Sequence, residues 1–263
     1  MKAIGVFDSG VGGLTVVREL FRQLPYEDII YFGDTARVPY GIKSKETVIK
    51  FSIENILFLL KQEVKLICVA CNTASSFAVP VIKNNFRVPI IGVIAPGARE
   101  AVYASQNKRI GVIGTKGTIK SRTYEREIKQ LNRKVKVTAV SCPLFVPFVE
   151  EGWLDGEVVQ SVAKKYLKPL KDTGVDTVIL GCTHYPLLKP VIQKILGPQV
   201  TLIDSAKQVA FEVKKILAGE EMLNHTKGGR HRFYVSDNPE WFSSLAQRFM
   251  GKKLTDVRKV DNV

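Results

Sequence analysis

The sequence predicts an α/β protein: two similar units, each a mostly parallel sheet flanked by helices, with a cleft between them. Three observations carry that expectation. Short apolar runs alternate with amphipathic stretches along nearly the whole chain. The apolar runs are continuous and rich in Ile and Val, as strands covered on both faces are. One pattern, a strand opening into a Gly-rich polar turn and a later strand ending on a cysteine, occurs twice.

In chain order, strands are expected at 3–7, 29–32, 65–70, 90–94, 109–113, 135–140, 177–180 and 201–203. Between the first two, Leu14, Val17, Leu20, Phe21 and Leu24 share one helical face, and Pro25 stops the run. Ser44 caps a longer helix through Val64 with Val48, Phe51, Ile56, Leu59 and Leu60 turned inward. Strand–helix alternation means parallel strands joined by right-handed crossovers, with functional loops at the carboxyl ends of strands. A tail of strand, helix and strand (231–236, 239–250, 254–260) is expected to pack back on the first half. The expected domains are therefore 1–96 with 206–263, and 97–205.

The repeat aligns Gly5-Val6-Phe7-Asp8-Ser9-Gly10 with Gly111-Val112-Ile113-Gly114-Thr115-Lys116-Gly117-Thr118. At similar distances downstream, each half places a cysteine after a strand: Ala70-Cys71-Asn72-Thr73 and Gly181-Cys182-Thr183-His184. Each unit thus offers one thiol from a strand end.

Composition narrows the class. Of 263 residues, 45% are hydrophobic and 24% charged, which excludes a disordered chain. No apolar run approaches the roughly 18–20 residues of a membrane span, and Met1-Lys2 leads directly into a strand rather than a signal-peptide core. The expectation is a cytoplasmic protein without a membrane partner. Four cysteines in a chain of this size make no disulfide framework. The net charge of +14 reads first as a solvated surface. Its densest stretch, 108–136, holds ten Lys and Arg against Glu125 and Glu127, with Tyr124 its only aromatic. That lack of interleaved aromatics argues against a nucleic-acid partner.

A cysteine at a strand end before a helix start sits among unpaired N–H groups, a setting expected to draw its pKa down toward neutrality. Cys68 and Cys71 form C-x-x-C, but Cys68 lies within a strand, where residues three apart face opposite ways. A redox dithiol is therefore disfavoured. Cys142 precedes Pro143 and reads as structural, and the cysteines other than Cys68 and Cys71 lack the paired close spacing of a zinc site. Gly10-Val11-Gly12-Gly13 and Asp34 suggest a dinucleotide fingerprint, but Thr15 replaces its third glycine and Asp8 would repel a pyrophosphate. No P-loop lysine follows. Asp8, Glu151 and His184 are titratable groups beside the two cysteine-bearing openings. Ser9, Thr73, Thr115, Thr118 and Thr183 serve either as helix caps or as a grip on a small anion.

Two opposed thiols suit racemisation at an α-carbon. That reaction needs a base on one face and an acid on the other, with the roles exchanged in reverse. Asp8-Ser9-Gly10-Val11-Gly12-Gly13-Leu14, Pro39-Tyr40-Gly41, Ala70-Cys71-Asn72-Thr73-Ala74 and Gly181-Cys182-Thr183-His184-Tyr185-Pro186 resemble the signatures of the bacterial glutamate racemases. So do Pro143-Leu144-Phe145-Val146-Pro147 and Tyr234-Val235-Ser236-Asp237-Asn238-Pro239. The thiol motifs alone resemble the wider aspartate/glutamate racemase superfamily. The resemblance implies two α/β domains with the active site between them, no cofactor or metal, a homodimer, and supply of D-glutamate for peptidoglycan. It implies that Cys71 takes the proton from D-glutamate with help from Asp8, and Cys182 from L-glutamate with help from Glu151 and His184. It further implies that Asp8, Ser9, Tyr40, Gly41, Asn72, Thr73, Thr115, Thr118, Thr183 and His184 bind substrate. An aspartate or related racemase, and a non-catalytic module for acidic ligands or nucleic acid, are the alternatives.

Overall fold

The computed structural model describes residues 2–226 and 229–260. Positions 1, 227–228 and 261–263 of the expected first domain lie outside the described residues. Among the described residues ten strands form two sheets, and every strand pair is parallel. The larger sheet contains β1 (Ile4–Asp8), β2 (Ile29–Gly33), β3 (Leu66–Val69), β4 (Ile90–Gly92), β9 (His231–Val235) and β10 (Val257–Lys259), in the order β10-β9-β2-β1-β3-β4. The smaller contains β5 (Arg109–Gly114), β6 (Lys136–Ser141), β7 (Thr177–Gly181) and β8 (Thr201–Asp204), in the order β6-β5-β7-β8. The tail does join the first half, through β9 beside β2.

Among the described residues twelve α-helices cover these sheets. In the first part of the chain they are α1 (Leu14–Gln23), α2 (Lys45–Lys61), α3 (Asn72–Phe77), α4 (Val79–Ile82) and α5 (Ile94–Ala104). With the small sheet come α6 (Lys116–Ser121), α7 (Thr123–Leu131), α8 (Phe145–Glu151), α9 (Glu157–Asp172) and α10 (Lys189–Leu196). The chain returns through α11 (Ser205–Gly219) and ends on α12 (Pro239–Met250).

Local chemistry accounts for these limits. The Ser44 hydroxyl accepts from the Thr47 N–H at 3.2 Å and starts α2, whose Val48, Ile56 and Leu59 are fully buried. The helix ends at Lys61, a few residues short of the expected Val64. Leu14, Val17 and Leu20 of α1 are buried, and the helix stops before Pro25. All five residues of β1 and of β7 are buried, as central strands of two-sided sheets must be. The expected 96/97 boundary falls inside α5, which packs against both α7 and α11.

Both sheets reverse winding direction at their centres. In the larger sheet the chain steps from β1 to β2 on one side and then to β3 on the other. In the smaller it steps from β5 to β6 and then to β7. Such a switch opens a crevice at the carboxyl ends of the two central strands. Asp8 ends β1 and Ser9 follows it, Cys71 follows β3, and Thr115 and Cys182 follow β5 and β7. The duplicated pattern therefore places one thiol at each of two equivalent crevices.

Candidate active site

The two crevices open on one cavity of about 360 Å³, the size of a small-molecule site. Its walls include Ser9, Tyr40, Gly41, Cys71, Asn72 and Thr73 from the first unit. From the second come Thr115, Pro143, Val146, Pro147, Glu150, Cys182, Thr183 and His184. The units approach closely because glycines stand at the contact. A Cβ on Gly12 would lie 2.2 Å from Thr183 Oγ1, and one on Gly41 would lie 2.7 Å from the Thr115 side chain. The Gly-rich turn after β1 thus serves approach of the second unit. Asp34 is wholly buried, where its carboxylate pairs with Arg37 and accepts from Tyr40 and Ser236.

Cys71 is the N-cap of α3; its sulfur accepts from the Ala74 N–H at 3.5 Å and lies 3.6 Å from Ser9 Oγ. The sequence expectation of a thiol drawn toward neutrality is corrected here. Burial, reinforced by the nearby Asp8 carboxyl, pushes the Cys71 thiol up to about 12, and the amide and Ser9 contacts only moderate this. The helix is short and the sulfur is buried, so desolvation outweighs the dipole. Asp8 has no exposed surface and is itself pushed above the usual carboxyl range by burial. Its Oδ2 accepts from the Gly10 N–H at 3.1 Å, and its Oδ1 has no hydrogen-bond partner among the described residues. It lies behind the cavity wall rather than in it.

Cys182 has a different neighbour. His184 Nδ1 is 3.9 Å from its sulfur, and His184 Nε2 is 3.0 Å from Glu150 Oε1. Burial alone would lower the imidazole pKa, but Cys182 and Glu150 more than offset it and push it up to about 10. These two partners favour the protonated ring, the form that places a positive charge beside the Cys182 sulfur.

Glu150 replaces Glu151 as the carboxylate of this group. Both end α8, but Glu150 lies one turn beyond Val146 and Pro147 on the same helical face, and that face lines the cavity together with Pro143 just before the helix. Glu151 is turned about 100° farther round and is exposed to solvent. The same periodicity in the sequence groups Glu150 with Val146 and Pro147 and sets it apart from Glu151, while the fold decides which face meets the cavity.

The expected binding residues divide in two. Ser9, Gly41, Asn72, Thr73, Thr115, Thr183 and His184 line the cavity. Thr118 does not; buried behind it, its hydroxyl braces Thr73 at 3.2 Å and Thr115 at 3.1 Å. Tyr40 borders the cavity, but its hydroxyl is turned to Asp34 and Asn55. Lys116, which the sequence reading passed over, stands at the mouth.

Cys68 is buried in the hydrophobic cluster opposite that of Cys71, so the pair makes no dithiol. Cys142 is fully buried, and burial followed by the nearby Cys182 sulfur pushes its thiol pKa up. Among the described residues, no three His, Cys, Asp or Glu side chains converge as a metal site. None of the described helices is long and apolar enough to cross a membrane.

Residues 4–212 match the family model described as Asp/Glu/Hydantoin racemase. A glutamate racemase of Geobacter metallireducens is 53% identical over 260 residues, covering 98% of this chain and 96% of its own. Among solved structures, a Bacillus anthracis glutamate racemase isoform superposes with a TM-score of 0.96 at 43% identity, over 99% of this chain and 97% of that one. A Francisella tularensis glutamate racemase solved with D-glutamate gives 0.93 at 42%, with the same coverage. Two thiols facing one cavity, each with its own titratable partner, and matches of this extent place the chain in the aspartate/glutamate/hydantoin racemase family.

Proposed function

We propose that this cleft interconverts L- and D-glutamate by two-thiol proton transfer, without pyridoxal phosphate or metal, and supplies D-glutamate for peptidoglycan. The observation that carries the reading is Cys71 and Cys182 lining one cavity from opposite units. One sulfur, as thiolate, removes the α-proton from one face. The other, as thiol, delivers a proton to the opposite face, which leaves the mirror image and the two sulfurs with exchanged protonation. The return reaction uses the same groups in reverse. The surroundings suit these roles: Cys71 is held as a thiol by burial and Asp8, while the His184 imidazolium lies beside Cys182. In this assignment Cys71 acts on D-glutamate with Asp8, and Cys182 acts on L-glutamate with His184 and Glu150.

Side chains and backbone at Ser9, Gly41, Asn72, Thr73, Thr115 and Thr183 would hold the substrate carboxylates and amine. The two sheets would be cores of domains 1–96 with 206–263 and 97–205, closing on the substrate. Glutamate is preferred over aspartate because relatives at 46–53% identity over nearly the whole chain carry the name glutamate racemase. A cytoplasmic homodimer belongs to the same proposal, and four free thiols suit a reducing compartment.

Circular dichroism of D-glutamate and D-aspartate incubated with chelator-dialysed protein tests the function. Loss of the D-glutamate signal with D-aspartate unchanged is expected. Activity that disappears on dialysis and returns with pyridoxal phosphate would overturn the mechanism, and preference for aspartate would overturn the substrate. Sedimentation at micromolar concentration tests the dimer.

A further inference from the structure

Tyr124 occupies an unusual place between the two thiol-bearing segments. It lies on α7 in the second unit and is 3% exposed. Its hydroxyl lies 2.8 Å from Asn72 Oδ1, on the residue after Cys71. The same hydroxyl is 3.0 Å from Ser205 Oγ, at the first residue of α11, where the chain returns to the first unit. Its ring covers Gly181, the residue before Cys182: a Cβ there would come within 3.2 Å of the ring. A Cβ on Gly97 of α5 would meet the opposite ring edge at 3.6 Å. One side chain therefore touches the neighbours of both thiols and both segments through which the chain passes between units.

The hydrogen-bond direction has a consequence for Asn72. A phenol has one proton; given to Asn72 Oδ1, it leaves Tyr124 to accept from Ser205. Because Oδ1 is taken, the amide is fixed with Nδ2 free, and no acceptor among the described residues engages it, while Asn72 borders the cavity. We propose that Tyr124 is a positioning residue for the racemase site, orienting the Asn72 carboxamide so that Nδ2 donates to a substrate carboxylate. Burial keeps the phenol protonated as a donor across the working pH range. Without the hydroxyl the carboxamide is free to rotate, and the substrate then meets either end of it.

The inference rests on the racemase reading, and the test keeps the two separate by measuring binding as well as turnover. Calorimetric titration with D-glutamate compares the wild type, Tyr124→Phe, Asn72→Ala and the double variant, with racemisation followed in parallel. Tyr124→Phe removes one oxygen and keeps the ring, and is expected to weaken D-glutamate binding about fivefold to tenfold, the effect of one hydrogen bond. KM should rise with it, and kcat should change less. In the Asn72→Ala background the same substitution should change binding less than about twofold, because its target is gone. Ser205→Ala, which leaves Tyr124 intact, should show a smaller loss with the same dependence on Asn72. Unchanged binding in Tyr124→Phe, or equal penalties in both backgrounds, would overturn the positioning role. Wild-type protein that binds D-glutamate without racemising it would overturn the catalytic reading and leave the positioning result standing.

Discussion

Replacing Glu150 by Gln, with Glu151→Gln as its control, tests the assignment on which structure and sequence differ. Glu150 Oε1 meets His184 Nε2 at 3.0 Å, with the side chains 31% and 8% exposed. A charge-assisted hydrogen bond of this kind contributes about 1.5–3 kcal/mol. The partial exposure of Glu150 places this one at the lower end. A loss of about 1.5 kcal/mol at the transition state is roughly a tenfold fall in kcat/KM. A racemase has an equilibrium constant of one, so kcat/KM must fall equally from L- and D-glutamate; only kcat and KM taken singly can differ between directions. Glu150 also helps to raise the His184 pKa, so the alkaline limb of the rate profile should move to lower pH in Glu150→Gln. Glu151→Gln, on the solvent side of α8, should stay within about twofold of wild type. Circular dichroism at both enantiomers, across pH, measures all of this. A larger loss in Glu151→Gln than in Glu150→Gln, with both variants folded, would refute the helical-face argument.

Other perturbations address the rest of the site. Replacing either Cys71 or Cys182 by Ser should abolish or greatly slow racemisation in both directions. Elimination from a β-halogenated glutamate, which needs only proton abstraction, should survive from the L-enantiomer in Cys71→Ser and from the D-enantiomer in Cys182→Ser; equal loss of both would refute one thiol per face. Folding stability should decline as pH rises. His184 has a folded pKa of about 10 against an ordinary 6.5, so its contribution is complete below 6.5 and is lost as pH rises through 10. The Cys71 thiol adds the same sign above 9, where the unfolded chain ionises it and the folded cleft resists. Thermal melts from pH 6 to 10 should show this fall, and His184→Asn should flatten it between 6.5 and 10. Lys120 and Arg126 border a more open groove of about 860 Å³ that shares Gly41, Ile42 and Lys116 with the cleft. Reversing both charges should leave kcat within about threefold and make KM less salt-dependent; a large loss of kcat in folded protein would place α6 or α7 in the chemistry.

Much of this protein is legible in its sequence because the signals are local. Short Ile/Val-rich runs bounded by turn residues read as strands buried on both faces, and β1, β5 and β7 fall within a residue or so of their expected limits. Ser44 and Pro25 act on their own turns, and both limits follow from chemistry within a few residues. The doubled strand–turn–cysteine pattern already contains the two-unit plan and singles out Cys71 and Cys182. Tertiary structure decides what depends on distant neighbours. Whether a helix start or burial governs Cys71 depends on how deeply the folded chain buries the sulfur, and burial wins. That Asp8 lies under the wall, that Thr118 braces rather than lines, and that the Tyr40 hydroxyl turns to Asp34 all follow from packing across elements far apart in sequence. The choice of Glu150 over Glu151 lies between the two cases. The helical period was present in the chain, but which face of α8 meets His184 is fixed only when β7 brings that histidine alongside, some thirty residues later.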